Sequence, residues 1–513
     1  MRVDDAVRQV SSGTMGRLVV LSLVFAFASA GRGTLGEELR TWTSRDGKYS
    51  MEGEFLKLQG GKVHLRRKDG KEIEVPLSRL SAADRQWVRK AVRSAKRSSN
   101  GDAGVPAAKS APVGEPSEWH QWRGPDRDGK SPEKGLLQDW NETPPKLVWS
   151  AHGLGRGRSS VVVSGDKIFT MGVFDEGTCL VALKSSDGLV VWKTPIESER
   201  ASMVNCTPTA DGDLVYGVTF KGTLACAKVA DGSVVWKKSF PRDFGGKMMS
   251  QWGYAESPLV DGDRVIVTPG ASRAMMVALD KRTGRVIWKS AVPDFNRRTP
   301  NGAGYASAVI SNACGVRQYV QLVGDGLIGV AARDGRPLWA YPRIANSTAN
   351  ISTPIVRGDY VFASTGYQTG AALIRLVRRG NAIDPREVYF LPHDRFQNHH
   401  GGMVLVGEYL FAGHGHNQGF PICIHLPTGR TMWGPGRGPG RRSAAVAYAD
   451  GNLYFRYEDG TMALIEANPK TYRSKGSFRI ATHHAESWPH PVIAGGKLYL
   501  RDQDDLHCYD IAQ

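Results

Sequence analysis

Cysteine is scarce, with six in 513 residues, none adjacent to another and none spaced C-x-x-C. A disulfide scaffold is therefore excluded, and without C-x-x-C-H so is covalently attached haem. No stretch of 18 consecutive apolar residues occurs, which excludes a multi-span membrane protein. Acidic residues are in deficit: 50 Asp and Glu stand against 67 Lys and Arg, a net charge of +17. Also lacking are an H-E-x-x-H metal spacing, a phosphate-cradling glycine loop and any Ser/His/Asp or paired-carboxylate constellation. What abounds is glycine, 60 residues or about one in nine, against a usual share of about 7%. A hydrophobic content of 41% supplies a large core and excludes wholesale disorder. The length fits about three domains, or one large repeat domain with an appendage.

The chain divides by composition into four parts. Leu18 to Ala28 (LVVLSLVFAFA), behind Arg17 and ahead of Ala28-Ser29-Ala30, has the basic start, apolar stretch and A-x-A ending of a secretory signal. Residues 1–30 are thus expected to be removed, with Met15 a candidate true start, and the mature chain, free of a membrane span, to work in the periplasm or cell envelope. Residues 91–117 are rich in Ala, Ser, Pro, Gly and Lys, the composition of a disordered linker. Before it, over residues 38–90, three strands are expected at Tyr49–Leu58, Lys62–Lys68 and Glu72–Leu77, parted by Gly60-Gly61 and Asp69-Gly70, and Ser81 caps a short helix. This is the pattern of a small SH3-like barrel. The order from Arg40, with its W-T-S-x-x-G-K start and V-P-L-S-x-L-S-x-x-D end, resembles the SLA homology domain 1 family. Eukaryotic members bind short peptides, so the resemblance implies an interaction module.

The fourth part, residues 118–513, repeats itself. D/T-G-x-x-x-W recurs with Trp192, Trp236, Trp288, Trp339 and Trp433, and a small residue lies ten positions before each: Ala182, Cys226, Ala278, Gly329 and Cys423. A turn Gly preceded four residues earlier by Pro recurs at Pro208/Gly212, Pro258/Gly262, Pro354/Gly358 and Pro491/Gly495, with degenerate copies between them. Each unit reads as four antiparallel strands, the fourth carrying the Trp, and eight such units predict an eight-bladed β-propeller. One blade cannot bury both its faces alone. The small residue is expected to let neighbouring blades approach, and the Trp to cover their joint. The last unit has no Trp strand, whereas Leu147-Val148-Trp149 is a spare one ahead of the first. The N-terminal strand is therefore expected to complete the final blade and remove an open edge.

The units VALKSSDGLVVW (Val181 to Trp192) and VALDKRTGRVIW (Val277 to Trp288) resemble pyrroloquinoline-quinone (PQQ) repeats. Further blocks, WHQWRGPDRDGKS from Trp119, WGYAESPLVDGD from Trp252 and NHHGGMVLVG from Asn398, resemble exported bacterial propellers related to the outer-membrane assembly factor. The resemblance implies an all-β fold but not a chemistry, because quinoprotein dehydrogenases and cofactor-free scaffolds share the repeat. The dehydrogenases carry adjacent cysteines over the quinone and a calcium held by Glu, Asn and Asp, and the cysteine pair is missing here.

Ten of the 13 histidines follow residue 390. His399 and His400 precede the innermost strand of the sixth unit, His490 that of the eighth, and Glu256 that of the third; His414 and His416 close the hairpin after His400. Imidazoles with a carboxylate suit a borderline metal, but no spacing gathers them, and a ligand-recognition face of Trp252, Glu256, His399, His400, His414, His416 and His490 is expected instead, with no metal and no catalytic residue. The basic runs Arg85 to Arg97 and Arg437 to Arg442 lack interleaved aromatics, and nucleic acid is not expected in an exported protein. The leading expectation is a non-catalytic scaffold for envelope proteins or peptides with no cofactor. The alternatives are a dehydrogenase using PQQ with calcium, and a carbohydrate-binding propeller with a polysaccharide partner.

Overall fold

The computed structural model describes residues 40–88, apart from 47, 60–61, 68–70, 82 and 86, and residues 118–513, apart from 200, 297, 381 and 485. The expected signal and linker lie outside the described residues. Two compact units divide the chain, residues 1–112 and 113–513.

In the first unit, strands Arg40–Thr43, Ser50–Gln59, Lys62–Arg67 and Glu72–Pro76 form one antiparallel meander. Only the first of them escaped the sequence pattern, being four residues long. Trp42, Val63 and Leu65 are buried inside. Trp42 meets Trp87 edge to face at 5.4 Å between centroids. Ser81 caps the terminal helical turn as expected, its hydroxyl accepting from Asp84 N–H at 3.1 Å.

The second unit holds eight four-stranded antiparallel sheets among the described residues. Sheets 1 to 7 span residues 162–197, 209–239, 259–290, 309–341, 355–391, 403–433 and 444–479. Sheet 8 spans 492–510, and its fourth strand is Lys146–Ala151. Trp149 pairs there with Cys508, so the spare strand closes the last sheet as its sequence indicated. First strands of successive sheets approach one another, so they lie innermost, and each sheet buries both faces against its neighbours.

The Trp repeat has a definite mechanical role. Each small residue is the direct cross-strand partner of its own Trp: Ala182 with Trp192, Cys226 with Trp236, Ala278 with Trp288, Gly329 with Trp339 and Cys423 with Trp433. Its job is thus to make room for the indole of its own sheet rather than to let the neighbouring sheet in. The Trp then reaches across. Trp192 Nε1 donates to Val229 O, Trp236 Nε1 to Lys281 O and Trp288 Nε1 to Ala332 O, at 3.1 to 3.2 Å. The rings of Trp149, Trp192, Trp236 and Trp288 each cover the turn glycine of the next sheet, whereas Trp339 Nε1 donates to Gln318 Oε1 of its own sheet. A Cβ on Gly188 would meet Trp149 at 2.6 Å and one on Gly284 would meet Trp236 at 2.7 Å, and both glycines are left-handed, with φ of 73° and 68°. The D/T-G-x-x-x-W motif is therefore one half of a lock whose other half lies in the next repeat. Tyr389 fills the role in sheet 5, donating to Leu426 O and covering Gly429.

Candidate functional site

Aligning the eight units on the hairpin between their first two strands puts Ser160, Thr207, Ser257, Ser307, Thr353, Gly402, Ala445 and His490 in one register. Four of the hydroxyls link sheet to sheet. Ser160 N–H donates to Thr207 Oγ1 at 3.0 Å, Thr207 N–H to Ser257 Oγ at 3.1 Å and Ser257 N–H to Ser307 Oγ at 3.0 Å. Ser160 Oγ donates back to His490 O at 2.7 Å. Sheets 6, 7 and 8 break the hydroxyl rule, with Gly402, Ala445 and His490.

Gly402 and His490 accommodate the segment Trp119 to Ser131, which crosses the centre of the ring of first strands. Its backbone exchanges hydrogen bonds with Val163 and Ala210 at one end and with Tyr448 at the other. In between, Arg127 donates to Ser257 O at 2.8 Å and Pro258 O at 3.0 Å, Trp122 Nε1 to Thr353 Oγ1 at 3.1 Å, and Arg123 to Met403 O. A Cβ at position 402 would strike the Arg123 guanidinium, so glycine there makes room for it. Arg123 Nη1 lies 3.3 Å from His490 Nδ1. Both arginines are buried with left-handed backbones, φ 61° and 57°. Burial lowers their pKa to about 10, which leaves them charged at neutral pH.

On one side of this crossing segment is a cavity of about 310 Å3. Arg158, Asn205, Ala255, Tyr305, Ile351, His400 and Trp488 line it, and all seven stand two residues before the hydroxyl register of their sheets. One position of the repeat thus contributes to the wall from seven of the eight sheets. A stacked column forms one side. Arg158 lies 3.7 Å over the Trp488 ring, Trp488 is 4.1 Å from His400, and His400 is 3.5 Å from His399. His416 and Tyr367 pack beyond, at 4.3 and 5.2 Å from His399. Burial dominates the electrostatics. It pushes His399 and His490 down to about 3 and His400 well below its usual range, with neighbouring imidazoles or Arg123 adding to it. These three imidazoles are neutral at physiological pH. The carboxylates are engaged: Glu458 pairs with Arg442 at 3.1 Å, and Glu486 with Arg158. Four polar atoms of lining residues are buried without a partner: Asn205 Oδ1, His400 Nδ1, Glu458 Oε2 and Trp488 Nε1.

Of the residues singled out in the sequence, the structure brings Trp252, His399, His400 and His490 to the cavity, with His416 stacked behind. Glu256 does not join them. Successive side chains of an extended segment point to opposite sides, and Ala255 takes the cavity side. Glu256 instead turns into the sheets, accepting from Thr268 N–H at 2.6 Å, Thr268 Oγ1 at 2.8 Å and Gln321 Nε2 at 3.0 Å. Burial nonetheless raises its carboxyl to about 7. His414 is also turned away, with Nδ1 accepting from Gln397 N–H at 3.3 Å. Sequence reasoning missed Trp488, Arg158, Tyr305 and Asn205, although the repeat register contained the signal. No group of three or more metal-ligating side chains is present among the described residues.

The family described as outer membrane protein assembly factor BamB matches residues 133–224 and 200–435, and SLA1 homology domain 1 matches residues 35–96. The BamB of Xanthomonas campestris pv. campestris is 29% identical over 201 residues, covering 37% of this chain and 45% of that protein. The BamB of Shewanella oneidensis is 25% identical over 239 residues, 45% of this chain and 53% of that protein. The chain thus spans about half the length of these relatives. The actin cytoskeleton-regulatory complex protein sla1 of Schizosaccharomyces pombe is 41% identical over 51 residues, 10% of this chain and 4% of that protein. Among solved structures, BamB from Moraxella catarrhalis superposes with a TM-score of 0.52 at 13% identity, covering 72% of this chain and 100% of that one. A europium-containing methanol dehydrogenase gives 0.53 at 13% identity, covering 76% and 90%. At such identities the likeness is one of fold, and the fold is propeller-like.

Proposed function

The chain belongs to the family of outer membrane protein assembly factor BamB, and from that premise we propose that it is a non-catalytic scaffold that docks other proteins in the cell envelope. In this reading the eight sheets are the blades of a closed propeller over residues 118–513. Residues 38–90 form a small SH3-like module that binds peptides, residues 91–117 join the two, and residues 1–30 direct export.

The observation that carries the reading is the outer rim. The fourth strands of sheets 8, 1, 2 and 3 each end their sheet, leaving one backbone edge unpaired. Beside those edges stand exposed apolar residues: Leu147 and Val148, Leu189 to Val191, Val234 and Val235, and Ile287. Apolar side chains next to an open strand edge are what an added strand from a partner recognises. Lys193, Lys237 and Lys289, just beyond the apolar residues, oppose indiscriminate pairing.

What supports leaving a quinone out is the donor set. Calcium takes about six to eight oxygens, whereas the carboxylates at the cavity, Glu458 and Glu486, are each held by an arginine. No cysteine lines the cavity, and burial pushes the Cys206, Cys226, Cys423 and Cys508 thiols up to about 12, so none is a ready thiolate.

The test is crosslinking of the purified chain in envelope extract, compared with a Val190→Asp, Val235→Asp variant that folds with an unchanged melting temperature. A discrete envelope partner that is lost from the variant is expected. Crosslinks identical in both proteins, or dye reduction with PQQ and calcium, would refute the reading.

A further inference from the structure

The cavity beside the crossing segment is separate from the outer rim, and three observations define what it accepts. The first is charge. Arg158 and Arg442 are each neutralised by a glutamate. The terminal nitrogens of Arg123 are spent on carbonyls and His490. The buried imidazoles are uncharged, so among the ionised groups of the wall only Arg123 lacks a carboxylate partner, and both of its terminal nitrogens are already hydrogen-bonded.

The second is unmet hydrogen bonding. A buried polar atom without a partner is costly, and four of them belong to residues of this one wall. They are of mixed sense: Asn205 Oδ1 and Glu458 Oε2 accept, Trp488 Nε1 donates, and His400 Nδ1 does either according to tautomer. Hydroxyl groups, which donate and accept, answer such a set, whereas carboxylates or ammonium groups answer only half of it.

The third is an aromatic ring kept at the rim. Trp252 is 46% exposed although it lines the cavity. Its backbone N–H donates to Tyr305 OH at 3.3 Å, and that hydroxyl is fixed by Ser250 Oγ at 2.6 Å. A large indole held half in water beside a polar cavity presents a flat apolar face, and the apolar face of a ring bearing equatorial hydroxyls can cover it. The volume of about 310 Å3 is at the small end for ligand sites, about 300–1,000 Å3, and suits one or two rings rather than a polymer segment laid lengthwise.

We propose that this cavity is a binding site for a neutral saccharide, with one sugar ring stacked on Trp252 and its hydroxyls bonded to Asn205, Glu458 and Trp488.

The test uses the full chain and records Trp fluorescence and saturation-transfer NMR with cellobiose, maltose and N,N′-diacetylchitobiose, each to about 10 mM, where a millimolar site is well filled. Glycerol and glucuronate are the controls for hydroxyl groups alone and for a charged ring. Saturable binding of at least one neutral disaccharide is expected, at least about tenfold tighter than either control. Trp252→Ala should weaken it about fivefold or more, with the melting temperature unchanged because the indole is half exposed. Asn205→Leu should weaken it independently. No saturable signal from any of the three disaccharides would overturn the proposal, as would equal binding of glucuronate or unchanged binding by Trp252→Ala. Partner crosslinking through the rim is scored on the same preparations, so loss of one activity is distinguishable from loss of the other.

Discussion

The buried imidazoles make this protein acid-labile by an amount that can be worked out. His399 and His490 titrate near 3 in the folded chain, while an unfolded histidine titrates near 6.5. Between these values the unfolded state binds more protons, so stability rises with pH across the window and is lost as pH falls below about 6.5. At pH 5 the protonation of one unfolded imidazole is worth about 2 kcal/mol, and the two together lower stability by about 4 kcal/mol relative to pH 8. Both side chains are less than a tenth exposed, so solvent screening does not erase the effect. His490→Thr is the informative variant, because threonine holds the same register in sheets 2 and 5. Urea unfolding of the full chain, followed by Trp fluorescence at pH 8, 6.5 and 5, should show the loss between pH 8 and pH 5 shrinking by about 2 kcal/mol in the variant. A loss of the same size in both proteins would refute the assignment of a neutral buried imidazole at His490.

Glu256 has the opposite sign. Its folded carboxyl is raised to about 7, so the folded state binds the extra proton. The associated stability is present below about 4.5 and lost as pH rises through 7, by about 3 kcal/mol. Glu256→Gln should flatten that slope in the same urea series while the histidine slope remains. Trp288→Ala removes the bond to Ala332 O and uncovers Gly335, and should cost about 3–5 kcal/mol, read as a fall in the urea midpoint. A chain beginning at Val113 should stay monodisperse in light scattering. One beginning at residue 153 should aggregate, since it lacks both the crossing segment and the strand Lys146–Ala151 that completes sheet 8.

The repeat architecture was legible because its signals are local and periodic: a turn glycine, an alternating strand and a tryptophan recur at fixed offsets, and the orphan strand at Trp149 was visible as a missing piece in the last unit. The site was half legible. His400 and His490 stood out by residue type, but Glu256 was taken from the neighbouring register, and a slip of one residue in extended backbone moves a side chain from the cavity to the opposite side. Arg158, Asn205 and Tyr305 are unremarkable singly and become a wall only when their shared register is superposed. The role of Gly402 was beyond reach, since its meaning lies in Arg123, nearly 280 residues earlier in the chain. The small residue opposite each Trp was noticed but given the wrong neighbour, because sequence spacing does not say which sheet an indole leans on.

The pairing of Lys146–Ala151 with the last strand also dictates an order of assembly. Ser150 and His507 touch across 357 residues, and closing so long a flexible loop in one step costs about 5 kcal/mol in chain entropy. Sheets 1 to 7 need only hairpins between sequence neighbours, and stacking them in turn carries the two ends toward each other in short increments. The seal forms only once the strand Asp505–Asp510 is in place. Until Asp505–Asp510 emerges, the unfinished ring has an unpaired strand, Lys146–Ala151, at one end and an open strand edge at the other. Once sealed, no sheet can peel away from a free end, and the ring must come apart at an internal seam.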